Sequence, residues 1–452
     1  AGTPNYCYVT QTGGYNAYCN SMVLQNGATL RVGNAVVQID YDLTIYGHLY
    51  FSSDDAVVDV NDDIIWGSGS TENITRGEIW VKDDWTFEDG SNCTLGTGST
   101  VIFDYATNSS INCSDSNGTF GNLFIDKPAG TGSILNLATA STYPIQVLGN
   151  LTVSDGNTFH INNEILEVVG TLDIEDGGKM DSGASGSMEL DSDFDLYGEL
   201  RCDGNVELYG DLSLYGNLVI EGGSALVHGN IEIIAGASLF VLTDADLEVN
   251  SDFVIYGGVS VYGDVLAHGD FELETTGTLI IDGNFICDDN SRVYQYLRGT
   301  LDFTGGLFEL TNNSLNIAST CNIVSYFGTI RVGGAFNASY AGTFQPDWGS
   351  VVMIGSGGSG IQMHSDNYLK NLNIEDDTWA SSDLIIYGDL KVNNGYFKPN
   401  GHLVQVGNFT RIYDELRITN SASILRGGMV NFETGSTANI TAGNIEIWRY
   451  LY

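Results

Sequence analysis

The side chains of this chain best equipped for chemistry are its carboxylates. They come in pairs: Asp54-Asp55, Asp62-Asp63, Asp83-Asp84, Glu88-Asp89, Asp288-Asp289 and Asp376-Asp377. A carboxylate pair can serve as acid and base on a glycosidic bond, and carboxylates with calcium and a basic residue can drive elimination from an acidic sugar. Either chemistry needs its pair set apart from the background. Here 57 Asp and Glu face 16 Lys and Arg in 452 residues, so acidic pairs are commonplace. The cations, such as Lys82, Arg201, Arg292 and Arg298, are scattered. The six histidines (His48, His160, His228, His268, His364, His402) show no zinc-type spacing, and neither a nucleophile triad nor a phosphate-cradling glycine loop can be read. The chain therefore reads as non-enzymatic, with a polysaccharide lyase or hydrolase ranked third among its functions.

Clustered oxygen ligands suit calcium better than catalysis. One candidate group is Asp54, Asp55, Asp59, Asp62 and Asp63. A second is Glu189, Asp191, Asp193 and Asp195, which an extended strand would place on one outward face, about 6.8 Å apart. No motif requires a cofactor, and the nonapeptide calcium-roll signature is absent, leaving Ca2+ as the one candidate ion. The formal charge of −41 repels phosphate and anionic headgroups, which excludes nucleic acid as a partner. A hydrophobic content of 42% with 11% aromatics can fill a core and argues against disorder. No apolar run of about 18 residues predicts a membrane span. The chain opens on Ala1, as a secreted product does after signal cleavage, so the expected location is extracellular or at the cell surface.

Seven cysteines fit an oxidising compartment. Cys7 and Cys19 are expected to close an N-terminal loop, and Cys93 and Cys113, about one coil apart, to stack or bridge. Cys202 reads as a buried thiol. Ten Asn-x-Ser/Thr sequons, Asn337 among them, are candidates for glycosylation.

The elements that must carry these groups are legible in residues 194–220. Phe194, Leu196, Gly198, Leu200, Cys202, Gly204, Val206, Leu208, Gly210, Leu212, Leu214, Gly216, Leu218 and Ile220 alternate with polar residues or tyrosine. Such alternation outlasts any single strand. Glycine recurs on this set at 198, 204, 210 and 216, and again at 257, 263 and 269, marking a corner after each short strand. Strands joined at a hexapeptide interval wind into a parallel β-solenoid of three-sided coils, here all-β with coils of about 18–22 residues and a rod on the order of 100 Å long. Tyr197, Tyr209, Tyr215, Tyr256 and Tyr262 each precede a corner glycine and form a surface aromatic strip, either a stabilising ladder or a contact surface for a subunit or sugar polymer.

Four segments follow: 1–28, with the disulfide and a strand-exchange role; 29–190, with a first repeat module; 191–300, regular and hexapeptide-like; and 301–452, with a second module and an uncapped C-terminal strand. The modules match motif by motif, with insertions between the copies. Gly98 to Phe103, Ser110-Ile111-Asn112 and Gly121 to Asp126 correspond to Gly349 to Ile354, Gly360-Ile361-Gln362 and Lys370 to Glu375, and Gly149-Asn150-Leu151-Thr152-Val153 corresponds to Gly388-Asp389-Leu390-Lys391-Val392. The order of these motifs in 355–408 resembles the repeat modules of large secreted bacterial β-solenoid surface proteins. The spacing in 194–285 is similar to that of bactofilin-type solenoids, and that resemblance implies polymerisation end to end through uncapped coils. The expected function is a secreted structural protein that self-assembles by β-edge or end-to-end contacts into an extracellular filament, tube or sheath. Tyr6, Tyr8, Tyr15, Ile447, Trp448, Tyr450, Leu451 and Tyr452 are the expected assembly residues. The alternative is a cell-surface adhesin or carbohydrate-binding stalk; the partners are other copies of the chain and an extracellular polysaccharide.

Overall fold

The computed structural model describes residues 6–9, 16–91, 93–104, 108–114, 118–127, 133–138, 144–288, 294–341, 344–346, 348–355 and 359–448, the side chains of 6–9, 294, 325 and 326 excepted. Among these residues there is no helix. Short strands pair in parallel, each with the strand one turn before it and the strand one turn after it. The chain is a β-solenoid of about 19 turns, divided by its contacts into two units, Ala1–Gly229 and Asn230–Tyr452.

Alternation produces this fold because a strand shows successive side chains to opposite faces. In the first unit one turn consists of Leu172–Ile174, Lys179–Asp181 and Ser187–Leu190, and the next of Phe194–Leu196, Glu199–Cys202 and Asn205–Leu208. Ile174 stacks on Leu196, Met180 on Leu200 and Leu190 on Leu208. The inward residues Phe194, Leu196, Leu200, Cys202, Val206 and Leu208 are each 3% exposed or less. Full burial of such an aliphatic side chain contributes about 1.5–3 kcal/mol, and parallel pairing satisfies the backbone groups that burial would otherwise strand. Larger rings fill wider cross-sections. Trp85 lies 6.0 Å from Trp66 and 5.4 Å from Phe120 in the first unit, and Phe271 lies 5.8 Å from Phe308 in the second.

Turn length varies more than the hexapeptide spacing predicts. Phe194 stacks on Leu212, a turn of three hexapeptides, whereas Leu123 stacks on Leu151, a turn more than half as long again. The three-sided pattern also changes in the second unit. One face ends at Asn322–Tyr326, and beyond it the long strand Leu403–Ile412 pairs with both Leu384–Ile386 and Leu390–Val392 on one side and with Ile424–Phe432 on the other, where the register breaks between Val406 and Phe409.

The duplicated modules have the same local construction. Gly98–Phe103, Asn122–Ile125 and Leu151–Val153 stack in succession, as do Ser350–Met353, Leu372–Ile374 and Leu390–Val392. Asn122 Oδ1 accepts the Asn150 N–H at 2.9 Å, and Asn371 Oδ1 accepts the Asp389 N–H at 3.1 Å. Each amide crowds the glycine before its partner: a Cβ on Gly149 would sit 2.2 Å from Asn122 Oδ1, and one on Gly388 2.3 Å from Asn371 Oδ1. The Asn…Gly-Asn/Asp signature is a corner device held by a side chain.

Candidate functional site

That device recurs at other corners, with a carboxylate in place of the amide. Asp63 Oδ1 accepts the Asp84 N–H (3.0 Å), and Asp84 Oδ1 accepts both the N–H and the hydroxyl of Ser110 (2.7 and 2.8 Å). Asp193 Oδ1 accepts the Asp211 N–H (2.9 Å). In the second unit Asn230 accepts from Asp252 N–H (3.1 Å) and Asp252 from Asp270 N–H (2.9 Å). An Asp or Asn at the start of a strand thus caps the donor one turn above it. These carboxylates are structural, each engaged by a backbone N–H one turn away.

The first calcium group does not assemble as a set. Asp54 pairs with Arg76 at 3.5 Å, the Asp55 N–H donates to Ser53 Oγ, and Asp59 stacks between Gln38 and Trp80. Asp62 and Asp63 instead meet Asp42, with ligand oxygens within 4.8 Å of one another. Asp42 was missed, although it precedes Asp63 by one turn. Burial raises the pKa of Asp63, and the charges of Asp84, Asp62 and Asp42 add to the rise. Asp83 shifts the same way, through burial first and then Asp84, Asp63 and Asp62. Beside them lies Lys127, 1% exposed, whose Nζ donates to Ser109 Oγ at 2.5 Å. Burial lowers its pKa to about 8 against the pull of Asp83 and Asp84.

The second group divides at a corner. Glu189 stands on one face between Glu167 and Glu207, and its pKa is raised by burial and then by those neighbours and Asp191. Asp195 stands on the next face beside Asp173. Asp193 and Asp195 line a shallow hollow of about 490 Å³ with Asp173, Asp211, Ser213 and Tyr197. The expected single outward face fails because the chain turns between Leu190 and Phe194.

The tyrosines do not form one strip. Tyr197 and Tyr215 stack with ring centroids 4.7 Å apart and planes 10° apart, as their spacing of three hexapeptides requires. Tyr209 follows a strand of a different face and stacks on His228 at 4.8 Å and 6°. In the second unit Tyr256 and Tyr262 follow strands of different faces. His228 and His268 each stand directly after a strand, at a corner. His228 Nε2 lies 2.8 Å from Glu207 Oε1, and this hydrogen bond lowers the glutamate pKa. His268 lies between Glu248 (3.1 Å) and Asp288 (2.7 Å). Burial pulls its pKa down, but the hydrogen bonds and charges of the two carboxylates outweigh that, and the net shift is upward.

Neither expected disulfide is present among the described residues. Cys19 and Cys93 are free thiols. The strand of Cys7 pairs with Thr29–Val32 and that of Cys19 with Val37–Ile39, so the two belong to different sheets; the Cys7 side chain is outside the described residues. Cys113 stacks on Phe87 and not on Cys93, because the turn here is longer than the interval between the two cysteines. Burial pushes the Cys93 and Cys202 thiols up, and that of Cys321 up to about 12.

Of the assembly residues, Tyr15, Tyr450, Leu451 and Tyr452 lie outside the described residues. Tyr6 and Tyr8 fall on a strand whose side chains are likewise outside them. Ile447 and Trp448 are exposed, and Arg426 holds Trp448 with its guanidinium 5.5 Å from the ring while bonding Glu446 at 2.6 Å. Among the described residues no helix is long and apolar enough to cross a membrane.

The fold defines the class, a β-solenoid repeat protein. Searches for similar proteins returned no matching family model and no matching curated protein. The likeness of 355–408 to bacterial surface repeats therefore rests on the sequence pattern.

Proposed function

We propose that this chain is a structural subunit of an extracellular assembly, joined to further copies through solenoid turns and strand edges. The observation that carries this reading is the apolar face of the turn formed by Thr437–Ile440 and Asn444–Ile447. Ile440 is 44% exposed and Ile447 56%, whereas Ile418 and Gly427, on which they stack one turn earlier, are buried. Phe432, which stacks on buried Ile412, is a further exposed apolar residue at an inward position. A strand edge with apolar residues at its inward positions is a surface that another turn in the same register covers, and in the proposed assembly a turn of a second copy takes that place. The non-enzymatic reading is supported by the corner carboxylates, many of which are engaged by backbone N–H groups.

The test is sedimentation velocity with electron microscopy on the full chain and on an Ile440→Lys/Ile447→Lys variant. Both side chains are exposed, so the variant folds. Association of the parent chain that the variant lacks is expected. A parent chain that stays monomeric, or a variant that assembles as the parent does, overturns the reading.

A further inference from the structure

An outward ladder in the second unit differs from its acidic surroundings. Tyr296, Asn316 and Asn337 follow one another on three successive turns, Tyr296 over Asn316 and Asn316 over Asn337. With Ala318, Ser319 and Tyr340 they line a hollow of about 480 Å³. Tyr340 stands at its mouth and is 74% exposed. The Tyr296 ring is held by Arg298, whose guanidinium carbon lies 4.8 Å from the ring centroid, and Arg298 is in turn neutralised by Glu272 and Glu274. Asn337 Oδ1 accepts the N–H and hydroxyl of Ser339 at 3.0 and 2.7 Å, which fixes the amide with its NH2 as the remaining donor.

We infer that this hollow binds a neutral saccharide. Among the described residues no Asp, Glu, His, Lys or Arg lines it, so neither a cation nor an anion finds a charged partner among them. Two phenol rings offer apolar faces and hydroxyl tips, the chemistry that meets the C–H face and the hydroxyls of a sugar ring. The two amides follow one another at the strand spacing of about 4.8 Å, giving an NH2 donor on each of two successive turns beneath a chain of sugar rings. The hollow lies on a sheet face and not along a strand edge, so a peptide would find no backbone ladder to join. This site is independent of the proposed assembly patch.

The experiment is calorimetric titration of the full chain, made in bacteria so that the Asn337 sequon stays unmodified, with cellohexaose, maltohexaose and chitohexaose as neutral probes and polygalacturonate as the anionic one. At least one neutral probe binds, and Tyr340→Ala and Asn316→Ala each weaken it about three- to tenfold, with circular dichroism unchanged. No binding of any neutral probe at millimolar concentration overturns the inference. So does binding that both variants leave intact, or a preference for polygalacturonate.

Discussion

Replacing Gly216 with alanine tests the corner geometry most directly. An ideal Cβ there would lie 2.0 Å from Gly198 O, 2.2 Å from Tyr197 O and 2.6 Å from the Tyr197 carbonyl carbon, where ordinary contact begins at 3.4 Å. The obstacles are backbone atoms of the turn below, which cannot rotate away as a side chain would. The corner must open by more than an ångström, across the bonds Gly216 N–H to Leu196 O (2.7 Å) and Asn217 N–H to Gly198 O (2.8 Å). Overpacking costs about 1–3 kcal/mol and weakening one or two backbone bonds about 0.5–1.5 kcal/mol each, so the loss is about 2–5 kcal/mol. Gly236 is the control: its φ is +98° and nothing lies within 4 Å of an added Cβ, so alanine there meets only the left-handed penalty of about 1–2 kcal/mol. Urea unfolding gives the two losses, and amide exchange at Asn217 reports the local opening. Equal losses at the two sites would refute the reasoning, because they would show that a crowded Cβ at Gly216 costs no more than a strained backbone in open space.

Two further outcomes are expected. Asp252→Ala leaves the N–H of buried Asp270 without its acceptor and should cost about 1–3 kcal/mol, read as faster amide exchange at Asp270. Asp252→Asn keeps the acceptor and should cost under about 0.5 kcal/mol, and an Asn variant as damaged as the Ala variant would mean that charge matters there instead. His268 has a pKa raised in the folded chain by Asp288 and Glu248. Its ion pairs therefore contribute fully below the unfolded value of about 6.5 and fade as pH rises through the folded value. Urea midpoints from about pH 5 to about pH 8.5 should fall more for the parent chain than for His268→Gln, and parallel curves would contradict this.

Inward and outward identity is a property of positions two apart, so alternation alone determined the all-β solenoid, the buried face from Phe194 to Ile220, the position of Cys202 and the corner glycines. The duplicated modules were legible for the same reason, since their strands and Asn…Gly corners depend on short segments. What only the tertiary structure decided is which residues meet across turns. That depends on the length of every intervening turn, and turns of unequal length accumulate offsets that no local pattern records. Tyr197 meets Tyr215 because one turn of three hexapeptides separates them, whereas Tyr209 falls on another corner. Asp63 meets Asp42 and Asp84 instead of Asp54, Cys93 misses Cys113, and Tyr296, Asn316 and Asn337 come into line although nothing in their separate neighbourhoods connects them.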